Sequence, residues 1–227
     1  AFTAYQALLQ SYPLHVPYER VLPRLRQLAG DFEHGVGNWF GFRDRTKAIE
    51  VYELVLQETP VGAGAIQDSL NLGSLLTATN RPAEAILVYR EALKRFPADP
   101  LAPQLRLELG RLLAEESRTG DGEGQVARQA ARELQAFADA HPGDPRAGDA
   151  ESLIALVAER RAEALYNLGR FYLRQAHRRE PAARRYLNDA VRGFPGTIAA
   201  SRAEVLLASL GPAPAIRKIA ADNGIDL

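Results

Sequence analysis

Five segments of the chain share one frame, and that frame leaves few folds open. They are AFTAYQALLQSYP (1–13), AIEVYELVLQETP (48–60), AILVYREALKRFP (85–97), AARELQAFADAHP (130–142) and ARRYLNDAVRGFP (183–195). Each opens on Ala and places a large apolar residue four later: Tyr5, Tyr52, Tyr89, Leu134, Leu187. Leu8, Val55, Ala92, Phe137 and Ala190 follow three residues further on, and each segment closes on Pro at plus twelve. Spacings of four and seven lie on one stripe of an α-helix. Proline ends such a helix, because it has no N–H and disfavours the helical conformation of the residue before it. Upstream of four frames stands a second helical pattern, a small residue followed three later by an apolar one: Ala29/Phe32, Gly73/Leu76, Gly110/Leu113 and Gly169/Tyr172. The small residue allows a paired helix to approach closely.

Gly73, Ala85, Tyr89 and Pro97 stand in the order and spacing of the tetratricopeptide pattern. The expected fold is therefore all-α, an α-solenoid of about five tetratricopeptide-like helix pairs with closing C-terminal helices. One superhelix is expected over 1–227, with N-terminal repeats 1–97 and C-terminal repeats 98–227. The frames start 47, 37, 45 and 53 residues apart, longer than the roughly 34 of a minimal repeat. The surplus has identifiable places. Between Ala29 and Ala48 lies HGVGNWFGFR (34–43), with the only Trp of the chain, and between Gly110 and Ala130 lies TGDGEG (119–124). The first helix of the last pair is expected from about Asp149 to Arg178. Closing helices are expected at Thr197–Ser209 and Pro214–Asn223. Asp99 before Pro100 and Glu180 before Pro181 read as capping acids ahead of a proline in the first helical position. The chain opens on what reads as the second helix of a pair, so sequence upstream is expected.

The chain has neither Cys nor Met, which removes disulfides, thiol nucleophiles and thiolate metal sites. His15, His34, His141 and His177 fall in different repeats without ligand spacing. The acidic loop around Asp121 and Glu123 is too short for a calcium loop, and Gly62 and Gly64 follow no strand and belong to a repeat-linking turn. No catalysis, metal or cofactor is expected. The net charge is zero but unevenly spread. Residues 113–151 carry nine acids against four Arg, a net of −5, and residues 160–192 carry nine Arg against three acids, a net of +6. The basic stretch is a candidate docking surface for an anionic partner. Overall neutrality and the lack of a matching motif argue against nucleic acid.

Two groups of residues are candidate sites. Trp39, Phe40 and Phe42 sit in a glycine-rich turn, where they either plug the groove between adjacent helix pairs or form an aromatic lip for an extended client. Tyr18, Arg26 and Arg43 lie nearby in the sequence. Arg26 is either solvated or offers a planar fork to a peptide carboxylate. The second group is Arg174, Arg178, Arg179, Arg184 and Arg185, around the turn into the last pair, with Arg202 in the closing helix. It serves either helix ends, complementing the C-terminal dipole, or an acidic partner domain.

YPLHVPYERVLPRL (12–25), LIALVAERRAEALYNLGRFYLRQ (153–175), AARRYLNDAVRGFP (182–195), AEVLLASL (203–210) and IRKIAADN (216–223) together resemble the BamD family of outer-membrane β-barrel assembly lipoproteins. That family combines a long helix with an aromatic pair near its end, a final repeat closing on an aromatic residue and Pro, and a short basic closing helix. The resemblance implies a non-enzymatic scaffold, lipid-anchored in full length at the periplasmic face of the outer membrane. It would dock on the periplasmic domains of the barrel insertase through its C-terminal repeats and receive unfolded barrel precursors at its N-terminal ones. The family's lipidated Cys is not among these residues, and neither the NWFGF insertion nor the TGDGEG loop belongs to its pattern. The alternative is a soluble periplasmic tetratricopeptide coordinator of envelope maintenance, of the Tol-Pal-associated type.

Overall fold

The computed structural model describes residues 2–36, 43–59, 61–62, 64–118, 124–174 and 179–212. Among them are ten α-helices and no strand: α1 Phe2–Ser11, α2 Tyr18–His34, α3 Arg45–Glu58, α4 Ala65–Ala78, α5 Pro82–Arg95, α6 Ala102–Glu116, α7 Gln125–Ala140, α8 Ala147–Leu173, α9 Glu180–Gly193 and α10 Ile198–Ser209. The fold class is the expected one, all-α helix pairs of the solenoid kind. The chain divides into two compact units, Ala1–Leu112 and Leu113–Leu227. The division falls inside α6.

The five frames are the five helices α1, α3, α5, α7 and α9, and proline sets where each one stops. Each helix ends two residues before its Pro. The intervening residue is Tyr12, Thr59, Phe96, His141 or Phe194, and all five share one backbone conformation, with φ between −125 and −139° and ψ between 47 and 62°. A following proline ring drives its predecessor out of the helical region in this way. Each of these residues still donates its N–H four residues back, to the carbonyl of Leu8, Val55, Ala92, Phe137 or Ala190. Those are the frame's own plus-seven positions.

In unit 1, α2 packs on α3, α4 on α5 and α3 on α4. Frame residues Ala48, Tyr52, Val55, Ala85, Tyr89 and Ala92 are all buried. In α1 the deepest residue is Leu9 and not Leu8, a one-position rotation in a helix that packs on α2 and α3. The close approach expected at the small residues is real. A Cβ built on Gly73 would lie 2.2 Å from Cε1 of buried Tyr89, and one on Gly169 would lie 2.6 Å from Cγ of buried Leu187. Gly73→Ala gains about 1 kcal/mol of helix propensity but forces the Tyr89 ring to move, at a cost of about 1–3 kcal/mol. A net fall in the urea midpoint is expected, and an unchanged or raised midpoint would show slack at this contact.

In unit 2, α8 packs on α7, α9 and α10, and α10 also packs on α9. Leu165, Leu187, Ala190 and Ala203 form a buried core, with Tyr166, Tyr186, Phe194 and Leu207 packed around it. The long helix is present but offset from the expected span: it runs Ala147–Leu173, about 40 Å at 1.5 Å per residue. Its last turn carries the aromatic pair, Phe171 edge-on to Tyr172, and Tyr172 stacks on Tyr186 of α9 with centroids 5.6 Å apart. The two expected proline caps are corrected. Asp99 accepts the N–H of Leu101 in a turn, and α6 begins only at Ala102. Glu180 is already the first residue of α9, and its carboxylate pairs with Arg184 one turn on, at 2.8 Å. Thr197 does cap α10, through its hydroxyl on the Ala200 N–H. The second closing helix, Pro214–Asn223, lies outside the described residues, as does the TGDGEG loop except for Gly124.

Candidate protein-interaction surfaces

In unit 1, the first helices α4 and α6 together line a groove of about 620 Å³. From α4 it takes Gln67, Asn71, Ser74 and Thr77, and from α6 Gln104, Glu108 and Arg111. These side chains reach it because residues three and four apart share a helix face, while Leu72, Leu75 and Leu76 of α4 turn into the core. The lining is ordered by hydrogen bonds. Gln67 Nε2 donates to Asn71 Oδ1 at 3.0 Å, and Asn71 Nδ2 donates to the Tyr52 hydroxyl at 3.1 Å. Arg111 donates to Glu108 at 3.1 Å. Burial raises the pKa of Tyr52, against the lowering effect of the Asn71 bond. Tyr89, at the groove's base, is raised more strongly, again by burial. Both therefore present neutral hydroxyls. The groove offers amides and hydroxyls, the groups that match the N–H and C=O of an extended polypeptide.

Of the N-terminal candidates, Trp39, Phe40 and Phe42 lie outside the described residues. Arg43 is exposed, just ahead of α3. Tyr18 is half-buried and donates its hydroxyl to Glu58 at 3.2 Å, tying the start of α2 to the end of α3. Arg26 does clasp a carboxylate, but one belonging to the chain itself. Its Nε and Nη2 donate to both oxygens of Asp68 on α4, at 2.7–3.0 Å. Asp68 is only 2% exposed. Burial pushes its pKa up, opposed by the Arg26 hydrogen bonds and charge. Gly64, which caps α4 with φ +84°, lies under the guanidinium: a Cβ there would sit 3.1 Å from Nη2. Arg26 is thus the strut between the first helices of two consecutive pairs.

The C-terminal arginines separate into two kinds. Arg184 is bonded within the chain itself. Its side chain is 14% exposed, and its Nη2 donates to the carbonyls of Leu210, Gly211 and Pro212 beyond the end of α10. At the other end of α10, the Glu159 carboxylate of α8 accepts the N–H groups of Ile198 and Ala199, at 2.7 and 2.9 Å. An anion at the N-terminus and a cation at the C-terminus both complement the helix dipole. Composition flagged neither role, because both contacts span more than 25 residues. Arg174, Arg179, Arg185 and Arg202 are exposed, and Arg185 reaches Asp189 only at 4.0 Å. Arg178 lies outside the described residues.

No helix among the described residues is long and apolar enough to cross a membrane. No curated protein matches the chain. The family model described as tetratricopeptide repeat matches residues 69–101. That span takes in Gly73 against Tyr89, the buried Ala85 and the helix stop at Pro97. The matched residues of α4 and α5 thus form a tetratricopeptide repeat, a module that generally serves protein–protein interaction scaffolds.

Proposed function

We propose that this scaffold serves outer-membrane β-barrel assembly on the periplasmic side, holding unfolded barrel precursors at unit 1 and the periplasmic domains of the barrel insertase at unit 2. The observation that carries the reading is the α4–α6 groove, whose lining of Gln67, Asn71, Ser74, Thr77 and Gln104 suits a client in extended form without demanding a particular charge. An unfolded barrel strand is such a client, because its backbone hydrogen bonds are unmade and its side chains alternate in polarity. Support for the insertase side comes from the sequence likeness to the BamD family over the long helix and final pair, and from the exposed Arg174, Arg179 and Arg185. In this reading the full-length protein carries an N-terminal lipid.

The test is a titration of the full chain with a labelled peptide copying a C-terminal barrel strand. Replacing both Asn71 and Gln104 by Ala is expected to weaken binding at least tenfold with the helical content kept. Unchanged affinity in that double variant would remove the groove from the reading. The mass of the N-terminal peptide of the native protein gives a second readout: an unlipidated, processed terminus would favour the soluble envelope coordinator instead.

A further inference from the structure

The second helices of unit 1 carry a different surface. Between α3 and α5 lies a trough of about 400 Å³ that shares no lining residue with the α4–α6 groove. Its floor is carbon: Leu56, Leu72, Val88, Ala92 and Phe96. Leu87 stands at its edge, 63% exposed. A second depression of about 250 Å³ lies between α1 and α3. Glu53 and Gln57 of α3 line both, so the two depressions flank these side chains.

The charge around the two depressions has one dominant sign. Glu50, Glu53, Glu58 and Glu91 line them, and Arg95 is the one cation among the lining residues. Arg95 is drawn to Glu91 at 2.9 Å. Arg81 touches Glu53 only at 4.0 Å and is held by Glu84 at 2.6 Å. Burial raises the pKa of Glu53, opposed by Arg81 and reinforced by Glu84 and Glu50. A cation arriving beside Glu53 would relieve that strain.

We propose that this trough docks a cationic amphipathic segment of a protein partner, with apolar side chains on the floor beside Leu87 and Lys or Arg among Glu50, Glu53 and Glu58. The chemistry selects this occupant. An acidic peptide or an anionic lipid surface would face like charge, and a fully apolar helix would bury carboxylates without bringing a cation to them. The surface is separate from the client groove, so the inference does not rest on the barrel-assembly reading.

The experiment titrates the full chain with a labelled ten-residue peptide of Leu, Lys and Ser, alongside its all-Glu and its Leu-free counterparts. The Lys peptide is expected to bind at least tenfold more tightly than either counterpart, and less tightly as salt rises. Leu87→Ser and the double variant Glu50→Gln/Glu53→Gln sit on the surface and are each expected to weaken it about tenfold, with circular dichroism unchanged. Asn71→Ala, in the other groove, is expected to leave it unchanged. Equal binding of the Lys and Glu peptides, or variants that bind like the parent, would overturn the proposal. So would a concentration-dependent dimer that Leu87→Ser abolishes, since the occupant would then be a second copy of the chain.

Discussion

Arg26→Ala is expected to cost unit 1 about 3 kcal/mol, the low end of what breaking a buried ion pair removes. The value is large because Asp68 is 2% exposed and would be left with a desolvated charge. It is not larger because the Arg26 side chain is itself 30% exposed, so water can follow into the space. The loss should depend on pH in a definite direction. An unfolded Asp titrates near pH 3.9. Burial already raises Asp68 in the folded chain, and removing Arg26 takes away the group that opposes this rise. The unfolded state of the variant therefore releases its proton first. The deficit is smallest below about pH 4, grows as pH rises toward the higher folded value and levels off above it. Arg26→Met with Asp68→Leu should recover most of the stability, since neither charge remains. Hydrogen exchange of the α2 and α4 amides, read at pH 4 and pH 7, follows the effect locally.

Phe137→Ala should be the most costly single truncation in unit 2, at about 3–5 kcal/mol. Phe137 is 1% exposed and occupies the plus-seven position, where α5 and α9 carry Ala92 and Ala190. Its ring stacks on His141, 5.7 Å away, and lies under the Arg146 guanidinium at 5.5 Å. The same ring thus secures the turn between α7 and α8. Arg146 in turn grips Asp144 there, holding that carboxyl at about 2, mainly through the side-chain hydrogen bond. Faster exchange at the end of α7 and in the 141–147 turn, together with a lower urea midpoint, is the expected outcome. A loss under 1 kcal/mol would mean that the site collapses readily around the smaller side chain.

What was legible in the sequence was local or periodic. Proline acts on the residue before it, so all five helix stops could be read from position alone. Gly73 against Tyr89 and Gly169 against Leu187 follow from the same frame, because the partner of each small residue is the plus-four residue of the next helix. The turn chemistry read less well. Asp99 has the right neighbours for a cap, yet its carboxylate closes a turn on Leu101, and the helix starts two residues after Pro100. The least legible features were charged groups with distant partners. Arg26 and Arg184 look like surface cations, and only the fold reveals that Asp68 lies 42 residues away and that the α10 carbonyls lie up to 28 residues away. Glu159 belongs to the same class: nothing around it in the sequence announces that it closes the N-terminus of α10.

The proposal that the α4–α6 groove receives unfolded barrel precursors meets its most direct test in a photo-crosslinking side chain at Ser74. Ser74 is exposed and lines that groove. In intact envelopes, the account predicts adducts with outer-membrane β-barrel proteins caught before folding, and their loss when Asn71 and Gln104 are both replaced by Ala. Adducts made only of soluble envelope proteins, or barrel adducts indifferent to those substitutions, would contradict it.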